Sequence, residues 1–343
     1  MSGPKVSVLL PCYQAEAAVE RAARSILDQT HTGLELLALD DGSTDGTRAV
    51  LDRLAAADER VRVVVNETNV GLIATLNRGL ELADGEFVAR MDADDVSEPG
   101  RLERQLDVFQ RHPDTDAVGT GVRLLDPRGR ATGRRPPRAC TPGGCRFLSY
   151  LATPVAHPTL LARRQVLAGH GYRPAEEALH AEDYDLFARL VRSGATLRNV
   201  DEALLGFRVS PGSVSRRFET IQVQHFRRLA RDHLRSGLGR EVAPGVHAVL
   251  VNRMDPSTRV GELRAGLTLL DELEEAFLAE EPEEEVRREI RAVAVQQRVD
   301  ILLQAARRGR PSVRVAAAAG VFARPWTFLS RPGRSYLATK GGS

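Results

Sequence analysis

The first third of the chain alternates short apolar runs with segments long enough to form helices. Each run is apolar on both faces, which is typical of strands that helices cover on two sides. Because strands that alternate with helices form parallel sheets, we predict an α/β fold with a Rossmann-like, mostly parallel sheet covered by helices. The runs are Val6–Leu10, Leu34–Leu39, Val61–Val65 and Phe87–Met91, and the segments between them cover about 15–28, 45–57 and 71–83.

Downstream, the pattern predicts further helices and strands and then a region in which helices alone are expected. It predicts a helix over Glu98–Arg111, a strand over Ala117–Leu125, a surface loop over 126–146 and a helix over about 181–193. From about residue 219 the apolar residues follow a helical period, as in Leu263, Leu267, Leu270, Leu273 and Phe277. We therefore expect a first domain over 1–218, with halves of about 1–96 and 97–218, and a mainly helical C-terminal extension over 219–343 with a basic tail.

Composition excludes several classes of protein. A net charge of +2 with 27% charged residues gives no overall attraction to nucleic acid. The three cysteines cannot form a disulfide framework, and the pair Cys140 and Cys145 has no second pair to complete a zinc site. The residues before Val6 are too few for a signal peptide. We therefore expect a cytoplasmic protein.

The acidic run Asp92-Ala93-Asp94-Asp95 follows the fourth apolar run directly. In an extended segment alternate side chains point the same way, so Asp92 and Asp94 can share one target. Hard cations such as Mg²⁺ and Mn²⁺ prefer carboxylate oxygens and often bind through one or two carboxylates together with substrate phosphates. The alternative is a solvated acidic turn before a helix that Ser97 or Asp95 caps.

A second acidic pair, Asp40-Asp41, ends the second apolar run. Gly42 allows a tight turn there, and Ser43 or Asp45 can cap the next helix. Capping alone does not require two adjacent carboxylates, and Asp40 or Asp41 can accept a hydrogen bond from a base N–H. Because the carboxyl ends of parallel strands meet at one edge, we interpret both acidic runs as parts of one ligand-binding rim.

Five segments in one order resemble the family-2 glycosyltransferases, which have the GT-A fold and transfer a sugar from a nucleotide-sugar. The resemblance covers roughly residues 5–215, and the segments together are far more specific than any one of them. The resemblance implies that 1–218 is the catalytic domain, with its donor half first and its acceptor half second. The segments are VSVLLPCYQAE at 6–16, LDDGSTDGT at 39–47, NVGLIATLNRGLELADGEFVARMDADD at 69–95, HPTLLARR at 157–164 and AEDYDLFARL at 181–190.

The resemblance also implies a role for each matching donor residue. Asp94 and Asp92 would bind Mn²⁺ or Mg²⁺, with Asp92 also facing the ribose. Asp41, alone or with Asp40, would bind the base, which in the family is typically uracil, so a UDP-sugar is the expected donor. The remaining donor-binding candidates are Pro11, Tyr13, Glu16, Asn69, Gly71, Asn77 and Arg90.

On the acceptor side the resemblance implies that Asp183 is the general base, with Glu182 as the fallback. A single carboxylate base without a separate nucleophile gives in-line displacement and hence inversion at the anomeric carbon. Without the resemblance, Glu182 and Asp183 read as acids favoured at a helix N-terminus. His157 corresponds to a residue near the acceptor pocket, where a supporting role and a packing role are both open.

One segment departs from the family pattern. Many relatives have a histidine two residues after an arginine near the end of the catalytic domain, whereas here Ser210 follows Arg208. Serine is a poor metal ligand, so the metal would have fewer protein ligands, or Arg208, Ser213 or Arg216 would hold the diphosphate instead.

The expected acceptor is a saccharide or lipid-linked saccharide in cell-surface polysaccharide or glycolipid synthesis. The tail beyond Ile301 contains basic residues and no acidic one, and it flanks the apolar Val313–Val321. That stretch is too short to span a bilayer. It suits either peripheral contact with the inner face of the membrane or, as we favour, a helix packed on the catalytic domain with a solvated basic face. The flanking residues are Arg307, Arg308, Arg310, Arg314, Arg324, Phe322, Trp326, Phe328 and Leu329.

Three rival functions can be weighed from the sequence. A nicotinamide dehydrogenase would have G-x-G-x-x-G after the first strand, where this chain has Pro11–Glu16. A sugar-phosphate nucleotidyltransferase would have a glycine-rich, basic first loop, which is missing. A catalytically inactive nucleotide-sugar-binding protein of the same fold is supported only by Ser210.

Overall fold

The computed structural model describes residues 4–209 and 218–323. The chain divides into two compact units. The first comprises Met1–Cys140 with Pro154–Gln222, and the second comprises Thr141–Thr153 with Val223–Ser343. The segment 141–153, which lies inside the range 1–218 that the sequence assigns to the first domain, therefore packs with the C-terminal helices.

The parallel half of the sheet has the order β3-β2-β1-β4. Its strands coincide with the four apolar runs, and Cys12 at the end of β1 lies beside Asp40 at the end of β2. The carboxyl ends of these strands therefore form one edge, as the sequence predicts. The strands are β1 (Val6–Cys12), β2 (Leu34–Asp40), β3 (Val61–Val65) and β4 (Phe87–Arg90).

Beyond β4 the sheet becomes mixed, in the order β4-β8-β6-β9-β5, with β7 paired to β6. Only β6 and β9 are parallel in this half. The predicted loop over 126–146 is wrong in part, because it contains β7 and the start of a helix. The strands are β5 (Val96–Ser97), β6 (Ala117–Leu125), β7 (Ala131–Arg135), β8 (Leu161–Arg163) and β9 (Leu197–Arg208).

Helices cover both faces of the parallel half. Val8 and Leu10 of β1 share one core with Ala22 and Ile26 of α1. On the opposite face α3 approaches so closely that a Cβ at Gly79 would lie 2.6 Å from Leu39. The α/β fold class is thus confirmed. The helices of this unit are α1 (Val19–Leu27), α2 (Thr47–Ala57), α3 (Leu72–Leu82), α4 (Arg101–Arg111), α6 (Arg164–His170), α7 (Ala175–Ala178) and α8 (Glu182–Arg192), with a 3₁₀ turn at His157–Thr159.

The second unit is helical. Thr141 caps α5 by accepting from the Gly144 N–H at 3.1 Å, and its own N–H donates to Glu289 of α12 at 2.9 Å. The acidic run at 280–285 joins α11 to α12. The helices are α5 (Pro142–Ser149), α9 (Glu219–Leu238, which begins in the first unit), α10 (Pro244–Leu250), α11 (Val260–Glu280), α12 (Glu284–Arg308) and α13 (Pro311–Ala323).

The C-terminal apolar stretch belongs to α13, which contacts α12 and α11. Val313 and Ala317 of this helix are buried. Within residues 4–209 and 218–323, no helix is both long enough and apolar enough to cross a membrane. The end of the basic tail, from Arg324 onward, lies outside the described residues.

Candidate active site

The loops that follow β1 and β2 are hydrogen-bonded to each other. The Gln14 side chain accepts from the Thr44 N–H at 2.8 Å, and the Ala15 N–H donates to the Thr47 hydroxyl at 2.8 Å. The Glu16 carboxylate accepts from the Gly46 N–H at 3.0 Å. Glu16, predicted to bind the donor, is thus engaged in holding the second loop.

Tyr13 and Pro11 lie on the open side of the same edge. The Tyr13 side chain is 52% exposed although it is a large aromatic residue. Pro11 is half-buried at the end of β1. An exposed tyrosine beside two fastened loops offers a flat surface on which a planar ligand can stack.

Asp40 and Asp41 are both buried but are used differently. Asp41 accepts three hydrogen bonds of 2.9 Å, from the Asn66 side chain and from the Val70 and Gly71 backbone N–H groups. Asp40 accepts one hydrogen bond on its carboxylate, from the Ser43 N–H at 3.1 Å. Asp41 therefore positions the loop before α3, while Asp40 keeps acceptor capacity for a ligand.

Gly42 allows the turn after this acidic pair. Its φ is +69°, and a Cβ there would lie 2.5 Å from the Thr68 carbonyl carbon. Both the backbone conformation and the close approach of the 66–71 loop require glycine. The exposed Asn69 lies on this same loop.

Asn77, predicted to lie beside the diphosphate, pairs with the backbone of Tyr172. Its amide donates to the Tyr172 carbonyl and accepts from the Tyr172 N–H, both at 2.8 Å. Both ends of the Asn77 amide are therefore taken, which makes it a positioning residue for the 171–173 turn. Gly71, at the N-cap of α3, has a φ of +89° and open space around it.

The buried Arg90 forms a two-pronged ion pair with Asp92. One guanidinium nitrogen donates to Asp92 Oδ2 at 2.9 Å and the other donates to Oδ1. Burial lowers the pKa of Arg90, but the negative charges of Asp92, Asp95 and Glu182 outweigh this effect and raise it overall. Arg90 is therefore a fixed positive charge at the centre of the carboxylates.

Asp94 and Asp95 form the turn after Asp92. Burial, followed by the charge of Asp92, raises the pKa of Asp94, and the same causes raise the pKa of Asp95 to about 8. The buried Oδ2 of Asp95 has no hydrogen-bond partner. Crowded carboxylates with an orphaned oxygen fit a divalent cation, which would offset their repulsion.

The protein would supply only part of such a metal site. In the part of the chain that the structure describes, no three His, Cys, Asp or Glu side chains are arranged to hold a metal ion. Asp94 and Asp92 would therefore be completed by phosphate oxygens and water, as is common for Mg²⁺.

Arg208 is engaged with the turn that Asp94 and Asp95 form. Its backbone N–H donates to Asp95 at 2.9 Å, its Nε donates to the Asp94 carbonyl at 3.0 Å, and one terminal nitrogen donates to the Pro127 carbonyl at 2.7 Å. These bonds shape the turn, whereas Arg208 Nη2 is buried without a hydrogen-bond partner among the described residues, so the predicted contact with acceptor or diphosphate stays a prediction. Ser210, Ser213 and Arg216 lie outside the described residues.

Glu182 and Asp183 are the first two residues of α8, and the charges of Arg90 and Asp92 act on both. Burial, then the neighbouring Asp183, raises the pKa of Glu182 to about 7. Burial also raises the pKa of Asp183, whose Oδ1 accepts from the Tyr184 N–H at 2.7 Å. Both carboxyl groups lie within the field of Arg90 and Asp92. The structure therefore brings the predicted acceptor-side acids and the Asp92 turn into one site.

Sequence reasoning missed two residues of this site. The Tyr172 hydroxyl lies 2.8 Å from His157 Nε2, and burial together with the charge of Arg90 keeps the pKa of His157 well below its usual value. Arg101 is fully buried and donates to the Pro158 carbonyl at 2.9 Å. Tyr172 follows a turn glycine and Arg101 begins a helix, so neither has a local signal of burial.

A cleft of about 340 Å³ lies elsewhere on the first unit, at the amino end of β4. It is lined by Asp84, Glu86, Arg163, Arg164 and Gln165 and contains none of the predicted site residues. The rim at the carboxyl ends of the strands is therefore the site that the chemistry indicates.

Comparison with known families and proteins finds glycosyltransferases. Residues 7–169 match the model of the family described as glycosyl transferase family 2. The chain is 35% identical over 226 residues to the protein named "Putative glycosyltransferase EpsE" of Bacillus subtilis (strain 168), covering 65% of this chain and 80% of that one. It is 29% identical over 215 residues to the amylovoran biosynthesis glycosyltransferase AmsE of Erwinia amylovora, covering 62% of this chain and 79% of that one.

Two solved structures share the fold at low sequence identity. The mannosyltransferase PcManGT from Pyrobaculum calidifontis, in complex with GDP-Man and Mn²⁺, has a TM-score of 0.55 at 18% identity and covers 99% of this chain and 84% of that one. S. aureus TarS 1-349 in complex with UDP-GlcNAc has a TM-score of 0.52 at 17% identity and covers 97% of this chain and 92% of that one. These neighbours confirm the GT-A fold expected from the sequence.

Proposed function

Since this chain belongs to glycosyl transferase family 2, we propose that it transfers a sugar from a nucleotide-sugar to a saccharide hydroxyl with inversion. The observation that carries the proposal is the arrangement around Arg90. Its guanidinium holds Asp92 in a two-pronged pair, and its field also reaches Glu182 and Asp183. A donor-binding rim and a candidate general base thus share one charged centre.

For the donor, we assign base recognition to Asp40 and stacking to Tyr13. Asp41 already accepts three protein hydrogen bonds, so it is better placed to fix the loop before α3 than to bind a ligand. Asp40 is buried with one such bond and can accept an N–H of the base. The resemblance and the UDP-GlcNAc complex of TarS support uridine, whereas the PcManGT structure is a complex with GDP-Man.

Asp94 and Asp92 would hold the divalent metal. When bound there, a metal supplies positive charge to the diphosphate as it departs. Arg90 keeps Asp92 in a single orientation, because a planar guanidinium pairs with both carboxylate oxygens. Arg208 fixes the Asp94 carbonyl and the Asp95 carboxylate, so the turn is rigid before the donor arrives.

For the acceptor, Asp183 would remove the hydroxyl proton. The hydroxyl oxygen then forms a bond to the anomeric carbon while the bond from that carbon to the diphosphate oxygen breaks on the opposite side. The proton resides on Asp183, and the electron pair leaves with the nucleoside diphosphate. One displacement of this kind inverts the configuration. A raised pKa suits Asp183 as a base near neutral pH.

We propose a role in the synthesis of a surface polysaccharide. AmsE is named for amylovoran biosynthesis. Another relative, 43% identical over 104 residues but covering only 41% of its length, is named "Putative teichuronic acid biosynthesis glycosyltransferase TuaG" of Bacillus subtilis (strain 168). These names support a saccharide acceptor and leave its identity to experiment.

Nucleoside diphosphate release tests the proposal. Wild type would be given UDP-, GDP- and TDP-linked sugars with Mn²⁺, Mg²⁺ or EDTA. We expect slow, metal-dependent hydrolysis of one donor. Asp94→Ala should abolish it, and Asp40→Asn should raise KM for the donor without a comparable loss of kcat.

The base is tested by transfer rather than by hydrolysis. Asp183→Asn should lower the rate of transfer to an acceptor by about 100-fold or more, the usual scale of general-base catalysis. Glu182→Gln is the matched control and should retain far more activity. Anomeric NMR of the product tests inversion. If no donor is bound or hydrolysed under any metal, the proposed function is wrong, and binding without turnover indicates an inactive relative.

A further inference from the structure

A strongly basic hairpin lies next to the turn that Asp94 and Asp95 form. It consists of the turn after β6, β7 and the three residues that follow β7, residues 126–138, and we call it the basic hairpin. It contains five arginines and one acidic residue, Asp126. Every residue of β7 is exposed. Its arginines are Arg128, Arg130, Arg134, Arg135 and Arg138.

Three of these arginines have no acidic partner. Arg130 pairs with Asp126 at 2.8 Å. Arg128, Arg134 and Arg135 form no ion pair with any acidic residue that the structure describes, and all three are exposed. Isolated surface charges of one sign make a local positive field that attracts an anion.

The pairing of β7 with β6 is unfavourable in its charges. Arg134 lies directly opposite Arg123 in the antiparallel ladder. Like charges opposite each other destabilise a sheet. Glu98 pairs with Arg123, which leaves Arg134 uncompensated. A bound anion would offset the repulsion between these two arginines.

The hairpin is joined to the active site through Arg208. This side chain donates to the Pro127 carbonyl at 2.7 Å and to the Asp94 carbonyl at 3.0 Å. The hairpin turn is therefore one side chain away from the turn that carries Asp94. Anything bound along the hairpin leads towards the site of sugar transfer.

We infer that the basic hairpin binds an anionic glycan acceptor, a chain with carboxylate or phosphodiester groups, and guides its end to the active site. The inference rests on the proposed transferase function. Arg130, which directly precedes β7, and Arg135, at its end, are at most about 16 Å apart at about 3.3 Å per residue. Positive charges spread over that length suit an extended polyanion better than a single phosphate.

Other polyanions fit this surface less well. Single-stranded nucleic acid is bound through aromatic stacking as well as charge, and 126–138 contains no aromatic residue. A membrane-binding surface needs apolar side chains to insert. None of the large exposed apolar residues among those described lies in the hairpin.

Protection of a sheet edge is the simplest alternative role for these charges, because β7 pairs only with β6 among the described strands. Arg134→Glu with Arg135→Glu keeps the edge charged but reverses the field. An edge-protecting role predicts unchanged ligand binding in this double variant. An acceptor surface predicts that binding is lost.

The test measures binding of fluorescently labelled alginate, poly(glycerol phosphate) and neutral dextran fragments of matched length to the full chain. We expect wild type to bind one of the two anionic glycans at least about 10-fold more tightly than dextran, with an affinity that falls as salt rises. Arg134→Glu/Arg135→Glu should weaken that binding by at least about 10-fold, since both charges change sign. Arg134→Lys/Arg135→Lys should retain most of it.

The matched control is Arg53→Glu/Arg62→Glu, which changes the net charge equally. Arg62 is exposed on β3, at the other end of the sheet. This control variant should bind the glycan within about 3-fold of wild type, because salt screens the electrostatic effect of a surface charge beyond its immediate neighbourhood. Thermal melting of each variant verifies folding.

Three results would overturn the inference: binding to neither anionic glycan, unchanged binding after the reversal, or binding only to phosphatidylglycerol vesicles. Donor hydrolysis by wild type is measured in parallel. Hydrolysis without glycan binding rejects the acceptor surface alone. Glycan binding without hydrolysis of any donor counts against the transferase function but still supports the basic hairpin as a glycan-binding surface.

Discussion

Replacing Glu182 with glutamine should make the protein more stable at alkaline pH. Glu182 is half-buried at the start of α8, and burial followed by the charge of Asp183 raises its pKa from 4.5 to about 7. The folded protein therefore holds this proton more tightly than the unfolded chain does. Its contribution to stability is lost as pH rises from about 4.5 through about 7.

The size of the effect follows from the shift. One pKa unit is worth about 1.4 kcal/mol, so ionising Glu182 costs the fold about 1 kcal/mol at pH 5 and about 3 kcal/mol at pH 8. Glutamine keeps the shape and does not ionise. After allowance for solvent screening of a partly exposed group, we expect Glu182→Gln to gain about 2 kcal/mol over wild type between the two pH values.

Urea unfolding followed by circular dichroism, with EDTA present, would give the difference between variant and wild type at pH 5 and pH 8. Glu81→Gln is the matched control, because Glu81 is exposed on α3. Its difference from wild type should stay the same at both pH values. A difference for Glu182→Gln that does not grow with pH would refute the argument that burial and Asp183 hold its proton.

Two further substitutions test how the site is built. Gly42→Ala should lower the free energy of unfolding by about 2 kcal/mol or more in thermal or urea unfolding, because it adds a clash with the Thr68 backbone to the cost of a positive φ. Gly71→Ala should lower it by only about 1 kcal/mol, because Gly71 also has a positive φ but has open space around it. Tyr172→Phe should cost about 1–3 kcal/mol by leaving the buried His157 nitrogen unpaired. The same change at the exposed Tyr13 should cost almost nothing, and equal effects at the two tyrosines would contradict the buried pairing.

The parallel half of the sheet could be predicted because the residue pattern of each strand and its end lies within a short stretch of sequence. Each strand from Val6 to Arg90 is mostly apolar, interrupted only by single residues such as Ser7, Glu35 and Arg62, and polar residues stand at or directly after its end. Parallel pairing then forces those ends to one edge. The position of the Asp40 and Asp92 turns on one rim follows from the pattern alone.

The second half carries weaker local signals. Residues 197–208 form β9, yet Asn199, Asp201 and Glu202 interrupt its apolar positions. β7 consists of exposed residues throughout. Both strands owe their conformation to pairing with β6, which is distant in sequence from β9, and pairing between distant segments cannot be read from a local window.

The roles of individual polar residues depended on packing. Asp41, Asn77 and Arg208 all lie where the family pattern predicts ligand contact, but each one is engaged with backbone groups. A carboxylate or amide looks the same in sequence whether it binds a ligand or holds a loop. Only the count of its hydrogen bonds in the folded protein separates the two roles.

The charge balance of the site explains why donor and cation would bind together. Two buried arginines, Arg90 and Arg101, face five carboxyl groups, and burial raises the pKa of most of these acids. A nucleoside diphosphate adds further negative charge to the same rim, and a fixed guanidinium cannot neutralise both. The proposed donor would therefore bind more tightly together with additional positive charge, which a divalent cation held by Asp94 would supply. The acids are Asp92, Asp94, Asp95, Glu182 and Asp183.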